Sequence, residues 1–226
     1  MADYSYIAFL DILGYKNLLD HDIKNGTQIF KSKMIEAFRV LDNVNQAKFA
    51  HKVISDSIFL SCSDREAAPE LMATLRNVFV AFLEKGLLIR GGVSYGEHFQ
   101  NQTITYSPAL TKAYLLESTI AEFPRIMVDP NIIDMFPALK DKHEVLKSGV
   151  NWYLNIANKE NYENVCEYAL STYQSNINEI NTSEKVRIKH RWLQDFLFEI
   201  SGIIGTPQKE RYIKMFDPID QPLNLA

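Results

Sequence analysis

The stretch FAHKVISDSIFLSC, residues 49–62, decides the fold. Phe49 to Ile54 reads as one strand and Ser57 to Cys62 as another, with only Ser55-Asp56 between them. Two short β-rich runs joined by two small polar residues predict a tight hairpin. Upstream, Thr27 offers an N-cap for a helix whose apolar stripe is Phe30, Met34, Phe38, Leu41 and Val44. Before that helix, Tyr4 to Leu10 is a short apolar and aromatic run suited to a buried strand, and Gly14 breaks it. Downstream, Asp64 offers a cap for a helix carrying Leu71, Met72, Leu75, Val78, Phe79, Phe82 and Leu83, stopped by Gly86. Leu87 to Tyr95 then reads as a strand, and Gly91-Gly92 inside it marks a bulge or the close approach of another group. The order is β-α-β-β-α-β, the ferredoxin-like split unit of an α+β fold.

Further along, Ser107-Pro108-Ala109 opens a third helix running to about Ile120, and Pro124 to Val128 reads as a strand ended by Pro130. A short helix over Ile132 to Leu139 is interrupted by Pro137, and Val150 to Ile156 reads as a strand. Helices are expected from Asn161 to about Ile180 and from Lys185 to about Ile200, the latter with Trp192, Leu193, Phe196 and Leu197 as its apolar face. Residues 1–130 are therefore expected to form the core. Residues 131–226 are expected to form a mainly helical addition packed on that same core, not a separate domain.

Composition narrows the function classes. The chain has 226 residues, 46 % apolar and 23 % charged, which suits a globular domain and excludes disordered and fibrous classes. A net charge of -4 argues against a broad basic face for duplex nucleic acid, but leaves room for a small cationic pocket. Two cysteines, Cys62 and Cys166, make neither a disulfide framework nor a four-ligand zinc site, so a reducing, cytoplasmic setting is expected. Asp3 and Asp11 interrupt the first apolar run, with no positive charge ahead of it, so no signal peptide is expected. No run approaches the length of a membrane span. The five histidines show no metal-ligand spacing.

Topology brings two carboxylates together. In this unit the first two strands run the same way, so the end of the first lies on the same edge as the hairpin that follows the second. Asp11 sits just past the first strand and Asp56 sits in that hairpin. Two carboxylates on adjacent strand ends repel unless a cation lies between them, and oxygen ligands favour a hard ion such as magnesium or manganese. Such a pair can hold two ions and serve phosphoryl transfer. An Asp in a turn also serves local hydrogen bonds, and one after a strand serves as a helix cap. Spacing alone leaves these open. The turn at Gly14 leads into a helix whose first N–H groups can cradle phosphate, or it is an ordinary strand-to-helix turn.

These residues resemble a known family. FLDILGY at 9–15, KVISD at 52–56 and IRGGVSYG at 89–96 are similar to the F-x-D-I-x-G-F, K-x-I-G-D and R-x-G-x-x-x-G segments of class III nucleotidyl cyclases. The helix segment ALTKAYLLE at 109–117 departs from that pattern. Thr111 stands at the usual Asn position and Leu115 at that of the transition-state Arg. A narrower set fits the whole chain: FLDILGY, SDS at 55–57, RGGVSYGE at 90–97, AYLLE at 113–117, FPRI at 123–126 and RWL at 191–193. It resembles the bacterial pyrimidine cyclases of Pycsar antiphage defence. The resemblance implies a class III cyclase fold that converts UTP or CTP to the 3′,5′-cyclic monophosphate, a second messenger for a separate effector. It implies two Mn2+ or Mg2+ ions held by Asp11, Asp56 and the Ile12 carbonyl. Leu13, Gly14 and Tyr15 are expected at the triphosphate, Lys52 at the base and Thr111 at the ribose. Arg90 is expected in the site, and Arg125 as the replacement for the missing arginine. It also implies a head-to-tail homodimer with shared sites. The altered helix keeps open a non-catalytic, cyclase-like nucleotide-binding module. A diguanylate cyclase would need a G-G-D/E-E-F hairpin, which SDS is not.

Overall fold

A computed structural model describes residues 3–213, so residues 214–226 of the expected C-terminal addition lie outside the described residues. The first strand, β1 (Asp3–Ile12), is followed by α1 (Tyr15–Asn25) and α2 (Ile29–Phe38). The hairpin is β2 (Ala50–Ile54) and β3 (Ser57–Cys62); α3 (Ala68–Glu84) and β4 (Ile89–Gln100) complete the split unit. Then come β5 (Thr105–Tyr106), α4 (Pro108–Leu115), β6 (Ile126–Val128), α5 (Pro130–Met135) and α6 (Ala138–Asp141). The chain continues through β7 (Val145–Ser148), β8 (Asn151–Leu154), α7 (Tyr162–Ser175), α8 (Ile177–Thr182) and α9 (Glu184–Ile204). Strand order is β2-β3-β1-β4-β6-β8-β7, with β5 paired to the end of β4. The first four positions are the ferredoxin-like order, and the α+β class follows directly from it.

Side chains alternate between the two faces of β1, so each face can be followed across the sheet. Tyr6, Ala8, Leu10 and Ile12 face one large core, shared with α2, α3, α7 and α9. Ile7 and Phe9 face the other side, where Ala109 and Ala113 of α4 cover them. The sheet does not stop at β6. β8 pairs with β6 and β7 with β8, so residues past 130 extend the sheet as well as adding helices. Buried Arg76 of α3 bonds the Asn155 carbonyl at 2.8 Å and pairs with Glu144, which ties α3 to the end of this extension.

One capping expectation changes. Thr27 is not the cap of α2. Asp22, at the end of α1, reaches across the turn and accepts from the Thr27 hydroxyl and from the N–H groups of Ile29, Phe30 and Lys31. These bonds hold its carboxyl below the usual range. Gly26, at φ 63, makes the turn that allows it. Strand β7 was not foreseen; its residues VLKS are short and half polar.

The glycine pair behaves as its sequence position suggests. A Cβ on Gly92 would lie 2.3 Å from the Ala113 carbonyl oxygen and 2.6 Å from Leu116 Cβ, because α4 crosses the sheet there. A Cβ on Gly96 would meet Ala109 at an ordinary 3.5 Å. Gly92→Ala must push α4 off the sheet. It is expected to lower Tm by roughly 3–10 °C, whereas Gly96→Ala shifts it by less than about 2 °C. Thermal unfolding of the two variants checks this; equal effects contradict the close approach.

Candidate active site

The register of β1 against its neighbours builds the site. Asp11 lies opposite Ser57 of β3 on one side and opposite Arg90 of β4 on the other. Paired residues share a sheet face, so Asp11 and Arg90 emerge on the α4 side. The hairpin turn is Ser55-Asp56, and its backbone is fastened to β1 by the Ile12 N–H on the Asp56 carbonyl at 3.3 Å. Ser55 holds φ 57, a left-handed conformation that costs a non-glycine residue about 1 kcal/mol. The strain sits beside Asp56.

Asp56 and Asp11 feel each other. The Asp11 carboxyl is raised to about 6, first by burial and next by the nearby Asp56 charge, against the pull of Arg90. A third acid joins them. Glu117, in the π-helical turn that continues α4, is only 2 % exposed. Its carboxylate meets Arg90 Nε at 2.6 Å, and Asp11 is 3.6 Å from the same nitrogen. Burial raises the Glu117 carboxyl to about 7; Arg90 opposes the shift, while Asp11 and Asp56 add to it. Arg90 thus bridges one buried acid and one metal-ligand candidate.

The loop after β1 leads into a bare helix end. Gly14 holds φ 80 as the N-cap of α1, and no side chain caps that end. The first N–H groups of such a helix have no intrahelical partner and favour anions. Tyr15 opens α1, with its ring edge-on to Phe30 at 5.4 Å. Leu13 differs: its N–H is taken by the Leu88 carbonyl at 2.8 Å, so its amide serves the fold.

Among the described residues no cluster of three or more His, Cys, Asp or Glu has the arrangement of a metal cage. Two carboxylates and one backbone carbonyl nevertheless suit hard ions that keep several ligand positions for phosphate oxygens and water. The mutual repulsion of Asp11 and Asp56 is the structural sign of that fit.

The remaining expected residues lie elsewhere. Lys52 is exposed on edge strand β2, opposite Phe59. It lines a cavity of about 390 Å3 together with Ile7, Phe59, His98, Gln100 and Leu110. Thr111 is exposed, and its hydroxyl donates back to the Ser107 carbonyl at 3.2 Å. Arg125 has another task. Its guanidinium donates to the Ile120 carbonyl at 2.9 Å and lies within 6 Å of the ring centres of Phe123, Tyr153 and Trp192. That cage fastens the loop before β6 to α9.

Sequence reasoning missed Glu117 and Lys189. The first was in view, as the last letter of AYLLE, but its burial against Arg90 depends on packing. Lys189 of α9 is half-buried, and burial, with the charges of Arg90 and Lys185, holds its ammonium below the usual range.

No protein-family model matches the chain, and no curated protein sequence matches it. Among solved structures, it is similar to the monomeric guanylyl cyclase domain of the RhoGC fusion protein from the aquatic fungus Blastocladiella emersonii. The two are 12 % identical with a TM-score of 0.49, over 68 % of this chain and 95 % of that one. An adenylate/guanylate cyclase/hydrolase from Silicibacter pomeroyi is 17 % identical with a TM-score of 0.48, over 70 % and 99 % of the two chains. A bacterial light-regulated adenylyl cyclase is 16 % identical with a TM-score of 0.49, over 70 % of this chain and 53 % of that one.

Both raised carboxyls bind protons more tightly in the folded chain than in the unfolded one. Stability contributed by their neutral forms is therefore lost as pH rises through about 6 to 7. Without metal, Asp11→Asn is expected to raise Tm at pH 7.5 by about 2–4 °C. The gain should shrink toward zero at pH 5, where wild-type Asp11 is itself neutral. A gain independent of pH, or a loss at pH 7.5, contradicts the repulsion.

Proposed function

We propose that this protein is a nucleotidyl cyclase that closes UTP or CTP to the 3′,5′-cyclic monophosphate and releases pyrophosphate. The convergence of Asp11 and Asp56 on one sheet edge, with the uncapped α1 end on the loop after β1, carries the reading. An edge with paired oxygen ligands and a neighbouring anion cradle suits a metal-bound triphosphate.

Asp11 and Asp56 hold the metal ions, with the Ile12 carbonyl completing the protein ligands. Magnesium or manganese bound there would supply acidification of the ribose 3′-hydroxyl and neutralisation of the triphosphate. The N–H groups at Gly14 and Tyr15 orient the phosphates. The 3′-oxygen then bonds to the α-phosphorus in line as the bond to pyrophosphate breaks. Arg90, held by Glu117, fixes Asp11 from the side opposite Asp56. Lys52 faces the base from its cavity, where a pure donor suits the uracil O4 acceptor better than the cytosine amino group. This ranks UTP first.

The reading includes a homodimer. On the α4 side, Ile54, Tyr106, Tyr114 and Leu115 are each about half exposed or more. Apolar side chains on a face that also carries Lys52 and Asp11 suit a second copy of the chain. Among the described residues no helix is long and apolar enough to cross a membrane. We place the enzyme in the cytoplasm, making a second messenger for a separate effector in antiphage defence.

The test is a competition assay with the four ribonucleoside triphosphates at equal concentration and manganese. Cyclic UMP is the expected main product. Cyclic AMP or cyclic GMP as the main product overturns the pyrimidine reading, and no pyrophosphate release from any of them supports the non-catalytic module. Asp11→Asn and Asp56→Asn are each expected to lower kcat by at least about 10²-fold while the fold persists. Mixing Asp11→Asn chains with Lys52→Ala chains should restore part of the activity. Absence of rescue in confirmed heterodimers contradicts shared sites.

A further inference from the structure

Arg90 stands between two carboxylates, and the one it holds more closely is not the metal-ligand candidate. Its Nε meets Glu117 Oε1 at 2.6 Å and Asp11 Oδ2 at 3.6 Å. Asp11 is brought there by the strand register, directly opposite Arg90. Glu117 comes down from the end of α4, and its carboxyl is shut away from water while that of Asp11 is partly open. Arg90 Nε and Glu117 Oε1 are both buried, and neither has a hydrogen-bond partner among the described residues. Their ion pair is what neutralises them.

Two features of the chain place Glu117 there. A Cβ on Gly92 would lie 3.1 Å from the Glu117 nitrogen, so glycine lets the backbone of residue 117 settle on β4 two residues beyond Arg90. The helix then widens into a π turn, Leu116–Ile120. The Ser118 and Thr119 hydroxyls donate back to the Tyr114 and Leu115 carbonyls, and the Ala121 N–H reaches the Leu116 carbonyl five residues earlier. A single π turn inside a helix is rare and frequently sits at a functional site. Here it carries the acid that holds Arg90.

An arginine beside a metal-ligand carboxylate competes for it. A guanidinium and a divalent ion seek the same oxygens, and the planar guanidinium matches a carboxylate well. We propose that Glu117 is a positioning residue: it holds the Arg90 guanidinium back from Asp11 and so leaves the Asp11 carboxylate open to a metal ion. Without the Glu117 charge, Arg90 becomes a largely buried cation that has lost its partner, and such a charge is costly. Asp11 then takes it, across a gap that is already only 3.6 Å. The proposal rests on the reading of Asp11 as a metal ligand. The rival role is the field alone, in which Glu117 attracts the metal ion by its charge and Arg90 stays where it is.

Mn2+ alone is the probe, titrated into the full chain at pH 8, where Asp11 and Glu117 are both ionised, with free Mn2+ read by EPR. Glu117→Gln is expected to weaken Mn2+ binding by about tenfold or more. Adding Arg90→Gln removes the competitor and should return the affinity to within about threefold of wild type. Glu117→Met serves as a second neutral variant should the Gln variant fail to fold. The field alone would also weaken binding, so a crystal structure of the neutral variant decides between the two roles. Arg90 is expected in hydrogen-bond contact with Asp11; an Arg90 still beside position 117 overturns the proposal. Wild type that binds Mn2+ through Asp11, with Glu117→Gln unchanged from it, overturns this proposal alone. Wild type that binds no Mn2+ overturns the metal reading and this proposal together.

Discussion

Two like charges held close together govern this molecule. The antiparallel pairing of β1 with β3 sets Asp11 opposite Ser57, next to the turn residue Asp56. Arg90, opposite Asp11 in β4, is itself drawn to the buried Glu117. A fold that places three acids around one arginine is incomplete electrostatically until a cation arrives. That imbalance explains why Asp11 and Glu117 hold their protons more tightly than ordinary carboxyls.

The surrounding structure can be read as support for this edge. Gly92 lets α4 lie directly on the sheet, and the same helix continues into the turn that delivers Glu117. Gly14 turns the chain from Ile12 into α1 and leaves the helix amides bare. Arg76 ties α3 to the extension of the sheet, and Arg125 with Trp192 ties the loop before β6 to α9. Each of these devices uses ordinary packing and hydrogen bonding. The acids at this edge and the bare helix end are left poorly satisfied, and such local conflict marks functional sites.

Much of this was legible in the sequence because it depends on neighbours in the chain. The hairpin at Ser55-Asp56, the glycine pair, the Ser107 cap and the order of the split unit all follow from local pattern. The parallel course of the first two strands then places Asp11 near Asp56 by topology alone. What stayed hidden depends on contacts between distant residues. Asp22 caps α2 across a turn, so Thr27 took its role in the sequence reading. Glu117 looks like any helix glutamate until its burial against Arg90 is seen. Arg125 lies in a motif that suggests catalysis, yet three aromatic rings from separate elements enclose it. Lys189 carries no local signal, since its place depends on how α9 docks.

The central claim is that Asp11 and Asp56 form a paired seat for divalent ions beneath a triphosphate. Manganese titration of the full chain in the presence of 3′-deoxy-UTP, which cannot cyclise, tests it most directly. Two ions per chain are expected for the wild type, with weaker or lost binding in both Asp11→Asn and Asp56→Asn. Unchanged manganese binding in both folded variants would contradict the account.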